Sequence, residues 1–256
     1  FKKLYYIGGK MKKLIINADD FGYSRAVSYG ILDAHKIGIL TSTTMMVNTE
    51  STEHAVLLAK NTPTLGIGVH LVLTFGKPLL SDHKTIVDGN GNFKKLSYYE
   101  NSDFHVDLNE VYREWDAQIQ RFLSFDLIPT HLDSHHHINS FGELYKVYLE
   151  LAGKYNLPVR RNIANKLLEE CDVKTTDSFE LEYNKVLDSI EDIVTLFEKN
   201  DSIEVMTHPS YLDKFLLENS SFTLPRLDET AFLIDNKRVK EFKNSSYFKL
   251  VNFGEL

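Results

Sequence analysis

Residues 13–22 read Lys-Leu-Ile-Ile-Asn-Ala-Asp-Asp-Phe-Gly. The short apolar run 14–18, ending in Asp19 and Asp20, reads as a buried parallel strand with polar groups at its C-terminal end. Downstream, helix and strand patterns alternate. Ser24 can cap a helix whose apolar positions Val27, Ile31 and Ala34 recur at three and four, and Gly38 is placed to end it. A second strand pattern covers 43–47, a helix 52–60, and a third strand 66–73, GIGVHLVL.

Residues 74–106 are irregular and rich in Asp, Asn, Gly and Lys; a loop of that length is usually functional or mobile. A long helix is expected over 107–125, then Pro129 leads into a strand over 131–135. Another helix covers 142–155, and Pro158 and Val159 open a short strand. Residues 184–199 read as helix and 203–208 as a late buried strand, with a short helix beyond Pro225 and a final strand over 248–252. Strand–helix alternation along the whole chain implies a parallel α/β architecture. At about 150 residues per domain, 256 residues allow one or two domains. No repeat or Pro/Gly/Ser linker divides them, so one domain is expected over 11–256. Met11 reads as the native start, with 1–10 an N-terminal extension.

The chain carries 36 acidic and 29 basic side chains, a formal charge of −7. No basic face is available for phosphates, which argues against nucleic acid or an anionic membrane as the main partner. No window of 18 apolar residues offers a membrane span, and the N-terminus lacks the apolar core of a secretory signal. A cytoplasmic location is the expectation. Cys171 is the only cysteine, which excludes an intrachain disulfide and a cysteine-based zinc knuckle. Neither a G-x-S-x-G elbow nor a GxGxxG or P-loop motif occurs. Trp115 and the 13 tyrosines and 16 phenylalanines could stack on sugars, although most belong to a core by default.

In parallel α/β folds, sites lie at the C-terminal ends of strands. Four polar clusters fall there: Asp19-Asp20, His70, the run from His131 to His137, and His208. Adjacent carboxylates repel, so burying both asks for a cation or a proton to separate their roles; the bland reading is a cap for the next helix. His70 is either a hydrogen-bonded core histidine or a ligand. Along a strand, His131, Asp133 and His135 share one face, costly to bury without a metal or a hydrogen-bond network. His208 follows Glu-Val-Met-Thr and suits a general acid, since its pKa lies near working pH. His35, His54, His83 and His105 lie on helical or loop patterns and read as ordinary residues. Two carboxylates and two or more histidines from separate strands can make a three-ligand site with open positions, the form of a catalytic metal centre.

Six segments carry a resemblance: KLIINADDFGYS at 13–24, GILTSTTMMVN at 38–48, GIGVHLVLTFGKPL at 66–79, PTHLDSHHHIN at 129–139, EVMTHPSYLD at 204–213 and LPRLDE at 224–229. In this order they resemble the YdjC-like carbohydrate deacetylases, and within them the chitooligosaccharide (chitin disaccharide) branch. The resemblance implies a distorted (β/α) barrel of the glycoside hydrolase/deacetylase type, with parallel strands and outer helices. It implies a metal-dependent hydrolase that removes N-acetyl groups from short N-acetylglucosamine oligosaccharides, releasing acetate in chitin degradation. Carried onto this sequence, Asp20, His70 and His135 match the metal ligands and Asp19 the general base. His208, in THPS, is similar to the histidine that protonates the leaving amine in related polysaccharide deacetylases. His131 and Asp133 would then orient His135. The resemblance implies Mg2+, while two imidazoles and one carboxylate suit Zn2+ equally by softness. A homodimer is expected only by analogy, and the loop 74–106 is expected to close over the sugar.

Three rivals stand beside this. A metal-dependent hydrolase of another amide or a phosphoester would more usually carry His-x-His on its first strand, where this chain has Asp-Asp. A two-carboxylate glycosidase needs no metal and leaves the histidines without a task. A non-catalytic sugar or metal binder would bind without turnover.

Overall fold

The structure, a computed structural model, describes residues 11–256, so the extension expected over 1–10 lies outside the described residues. Among these residues seven strands form: β1 Lys12–Phe21, β2 Ser42–Met45, β3 Gly66–Leu71, β4 Leu132–Ser134, β5 Ser178–Glu180, β6 Ser202–Thr207 and β7 Phe248–Leu250. Every pairing is parallel, in the order β4-β3-β2-β1-β6-β5. One edge of β1 is shared: β7 pairs with Lys12–Leu14, and β2 takes over from Asn17. The sheet curls into a half-barrel with helices around it, the expected α/β class. Parallel strands buried on both faces should read as continuous apolar runs, and β1 does so through Leu14, Ile15 and Ile16, all fully buried.

Ser24 caps the helix Arg25–Lys36 as expected, its hydroxyl accepting the Val27 N–H at 3.2 Å. That helix ends at Lys36 with Ile37 as its C-cap, so Gly38 stands directly after it as expected, and it also allows close packing: a Cβ there would lie 2.3 Å from the Ala34 carbonyl oxygen and 2.6 Å from that of Leu233. The strand expected at Pro158 shrinks to one bridge, Val159 beside Leu132. It still matters, because Arg160 N–H bonds Leu132 O at 3.1 Å and fixes where the next side chain goes. The expected helix 184–199 is broken in two, Tyr183–Val186 and Ile190–Phe197, with Ser189 capping the second. Strand β5 and the helix Asn165–Glu170 arise in the stretch 162–179, which carries no recognisable motif. Trp115 is fully buried in the core and faces no ligand space.

Period-two alternation turns Asn17 and Asp19 of β1, Thr44 of β2, His70 of β3, Asp133 of β4 and Glu204 of β6 toward one another, where they bond directly or through Arg160. The half-barrel therefore has a polar, charged interior beneath its C-terminal rim. Gly68 makes room for this interior, since a Cβ there would sit 2.5 Å from His131 Nδ1.

The segment 74–106 is tied down by the helix Leu108–Ser124. Glu114, fully buried, accepts the N–H of Leu79 at 2.9 Å and of Leu80 at 3.1 Å, with His83 Nε2 at 3.1 Å. Glu110 takes the N–H of Lys84 and Thr85. Glu114→Ala strips partners from these donors and from Gln118 Nε2. It should cost about 2–4 kcal/mol in urea unfolding and speed hydrogen exchange at 79–85. Unchanged exchange there would show that the segment is held by other contacts.

Candidate active site

Asp19 and Asp20 close β1, and in an even strand their side chains would point to opposite faces. The β1–β2 register breaks between Ala18 and Phe21, and Asp20 adopts a left-handed backbone with φ 73°. Aspartate tolerates that region better than most residues, yet the strain is of order 1–3 kcal/mol and persists where surrounding bonds hold it. The bulge brings both carboxylates onto one cavity of about 560 Å³ at the strand C-termini.

Asp20 Oδ1 lies 2.9 Å from His135 Nδ1 and 3.3 Å from His70 Nε2. Asp20 Oδ1 and His70 Nε2 are both buried, and neither makes a directed hydrogen bond. Three potential ligand atoms, one each from Asp20, His70 and His135, thus converge within 4.8 Å of one another. Unsatisfied buried polar atoms in that array are what a cation resolves. The surrounding bonds suit the same end. His70 Nδ1 contacts Asp133 Oδ1 at 2.6 Å, which leaves Nε2 to the cavity. Arg226 Nη2 donates to Asp20 Oδ2 at 2.6 Å, which leaves Oδ1 free.

The electrostatics agree. Burial works against a charge on His70, but Asp133, with Asp20 and Asp19, outweighs it and lifts the ring to about 10. Positive charge is therefore favoured at the point where the three donors meet. Burial also opposes ionisation of Asp20, yet Arg226 and His135 hold its carboxyl well below the usual range. A divalent cation fits the donor set Asp20, His70 and His135. A second triad, Asp19, His70 and Asp133, is also close. It fits less well, because Asp19 spends both oxygens on Arg160, at 2.7 and 2.6 Å.

Arg160 is the organiser of the interior. Fully buried, it also donates Nε to Glu204 at 2.8 Å and lies 3.1 Å from Asp133 Oδ2. Against the penalty of burial, it holds Asp19 far below the ordinary carboxyl value. Burial pushes Glu204 up to about 7 even with Arg160 beside it. His208 Nε2 stands 3.9 Å from Asp19 Oδ2, and burial pushes its ring down to about 4. Glu229 accepts the His208 N–H and is itself raised to about 7 by burial.

The structure thus gathers Asp19, Asp20, His70, His135 and His208 around one cavity. Two expectations are corrected. Asp133 orients His70, because β3 and β4 register His70 directly beside it, and it makes no bond to His135. His131 stays deeper, stacked on Phe253 with ring centroids 3.8 Å apart, and does not touch His135. His135 itself lies past the end of β4, at the start of a 3-10 turn over His135–Ser140. The segment 74–106 does not cover the cavity as expected: only Phe75 of it lines the cavity, whose lining also draws on 181–184 and 219–222. Sequence reasoning missed Arg160 and Arg226. The first follows a two-residue strand pattern, and a charged group at a strand end was its only signal; the second stands in LPRLDE, a motif with no role attached.

A family model described as YdjC-like protein matches residues 13–244. The chain belongs to the YdjC-like family. A carbohydrate deacetylase of Clostridium beijerinckii is 42% identical over 248 residues, covering 95% of this chain and 100% of that one. A protein of Listeria innocua, carbohydrate deacetylase 2, is also 42% identical, covering 95% and 98%. A crystal structure from Enterococcus faecalis, provisionally described as a cellobiose-phosphate cleavage protein, is 37% identical with a TM-score of 0.85, covering 96% and 99%. For a YdjC-like chain, the LPRLDE helix Leu224–Leu233 now has a place: it carries Arg226 onto Asp20 and Glu229 onto the His208 backbone.

Proposed function

We propose that this protein is a metal-dependent carbohydrate deacetylase that hydrolyses the N-acetyl group of short N-acetylglucosamine oligosaccharides, with diacetylchitobiose the simplest substrate. The observation that carries the reading is the convergence of Asp20, His70 and His135 in a cavity that also holds Asp19 and His208. The YdjC-like relatives named carbohydrate deacetylases support the reaction class. Acidic groups, Asp19, Asp20, Glu182 and Glu229, outnumber Arg226 among the charged lining residues. That balance favours a neutral sugar amide over a phosphoester.

A divalent cation held by Asp20, His70 and His135 supplies Lewis acidity to the acetamido carbonyl and lowers the pKa of a water. Arg226 and Asp133 keep the carboxylate and the imidazole turned to that point. Asp19, ionised at any working pH, receives the proton of the attacking water. His208, whose Nε2 stands 3.9 Å from Asp19 Oδ2, gives a proton to the leaving sugar nitrogen after taking one up within the cycle. Acetic acid and the amine are the products, and the acid's proton then passes to the amine or to solvent, leaving acetate. Tyr23, Phe75 and Phe222 give the cavity apolar walls for the sugar ring. The metal is Mg2+ by family resemblance, with Zn2+ the alternative that two imidazoles and one carboxylate suit equally.

Mass spectrometry of diacetylchitobiose after incubation tests this. The expected result is loss of one acetyl group with the glycosidic bond intact, and a fall of 10³-fold or more in Asp19→Asn, on the order of a lost general base with its positioning. Cleaved disaccharide, or full activity in Asp19→Asn, would refute the assignment.

A further inference from the structure

The histidine run leaves His137 on the cavity wall, outside the donor triad. Its backbone is left-handed at φ 53°, and so is that of His136 at φ 57°. Two such residues in succession persist only where their surroundings fix them. A directed chain of hydrogen bonds does so. Asn139 N–H donates to Ser134 Oγ at 3.1 Å, so the Ser134 hydroxyl proton goes to Asn139 Oδ1 at 2.6 Å. Asn162 Nδ2 donates to that same Oδ1 at 3.0 Å and Asn162 Oδ1 accepts Asn139 Nδ2 at 2.8 Å. The remaining hydrogen of Asn162 Nδ2 points at His137 Nδ1, 3.1 Å away.

An amide nitrogen only donates, so Nδ1 accepts and the ring carries its proton on Nε2. His137 lines the cavity and Asn162 does not, so with Nδ1 held by Asn162 the opposite ring edge, with Nε2, is the one left for a cavity ligand. Nε2 has no hydrogen-bond partner among the described residues. We propose that His137 is a substrate-binding residue whose Nε2–H donates to an acceptor oxygen of the bound sugar, in a tautomer set by Ser134, Asn139 and Asn162. This rests on the deacetylase reading. It adds a fixed neutral donor that would select hydroxylated substrates and align the acetamido group on the triad.

Three variants at one position separate the donor from the ring. Glutamine places an amide N–H near Nε2, asparagine places one near Nδ1, and alanine places none. His137→Ala and His137→Asn should raise KM for diacetylchitobiose roughly five- to tenfold, the worth of one neutral hydrogen bond. His137→Gln should recover to within about threefold on the same basis, and metal content should match the wild type in all three. Ring-nitrogen NMR of the unmutated protein should show the Nε2–H tautomer, with Nε2 shifting on addition of diacetylchitobiose. Wild-type KM in His137→Ala, or an Nδ1–H tautomer, overturns the proposal while leaving the deacetylase reading intact. Should the wild type release no acetate, that reading fails; a still Nε2 resonance under added sugar then overturns the proposal as well, and a shifted one supports it.

Discussion

Arg160→Met lowers the free energy of unfolding by about 3–5 kcal/mol, the range for removing one partner of a buried charge network. The guanidinium is fully buried and is the shared counter-ion of Asp19, Asp133 and Glu204. Methionine keeps much of the volume and removes the charge, leaving Asp19 and Glu204 without their guanidinium and Asp133 to His70 and Thr44. Lysine should rescue little, because a point charge cannot bond Asp19 through both oxygens and reach Glu204 as a planar fork does. The pH dependence gives a second check. In the wild type Asp19 is held far below its ordinary value of 3.8, so the stability it contributes is present at neutral pH and at pH 5 and is lost only as pH falls below that ordinary value. In the variant the carboxyls escape their penalty by taking up protons, so the gap between the two proteins narrows with acid. Urea unfolding at pH 7.5 and pH 5 measures both effects. Equal stability at neutral pH would mean that the interior does not depend on Arg160.

His70→Ala should abolish stoichiometric binding of a divalent cation and reduce kcat/KM by at least 10³-fold. Asp133→Asn should weaken metal affinity or activity only 10–100-fold, the usual scale for groups that orient a ligand. The order follows from position. His70 offers Nε2 to the triad itself, whereas Asp133 acts on it through Nδ1 at 2.6 Å. Metal content after gel filtration, beside kinetics on diacetylchitobiose, reads both. Equal losses in the two variants would contradict the assigned order, and so would a normal metal content in His70→Ala.

The parallel α/β class was legible because β1, β3 and β6 are apolar runs ending in polar residues, and that coincidence also located Asp19, Asp20, His70 and His208. Less legible was anything set by register between distant strands. That Asp133 faces His70 depends on how β3 and β4 align, and no local pattern encodes it. The bulge that turns Asp20 into the cavity is likewise a tertiary compromise, a left-handed aspartate held by Arg226 from 206 residues away. Strand alternation grouped His131 with His135, but the strand stops at Ser134 and the two part company. The irregular composition of 74–106 suggested a closing lid; buried Glu110 and Glu114 bind it down instead, and helix periodicity alone does not reveal which polar residues turn inward.

Under the proposed function, acetyl removal needs the cation that Asp20, His70 and His135 would hold. Acetate released from diacetylchitobiose, followed with protein stripped by chelator and then given Mg2+ or Zn2+, tests it most directly. No release is expected from the stripped protein, with recovery on addition of one of the two metals in the wild type but not in His70→Ala. Release that continues undiminished in the stripped protein would contradict it.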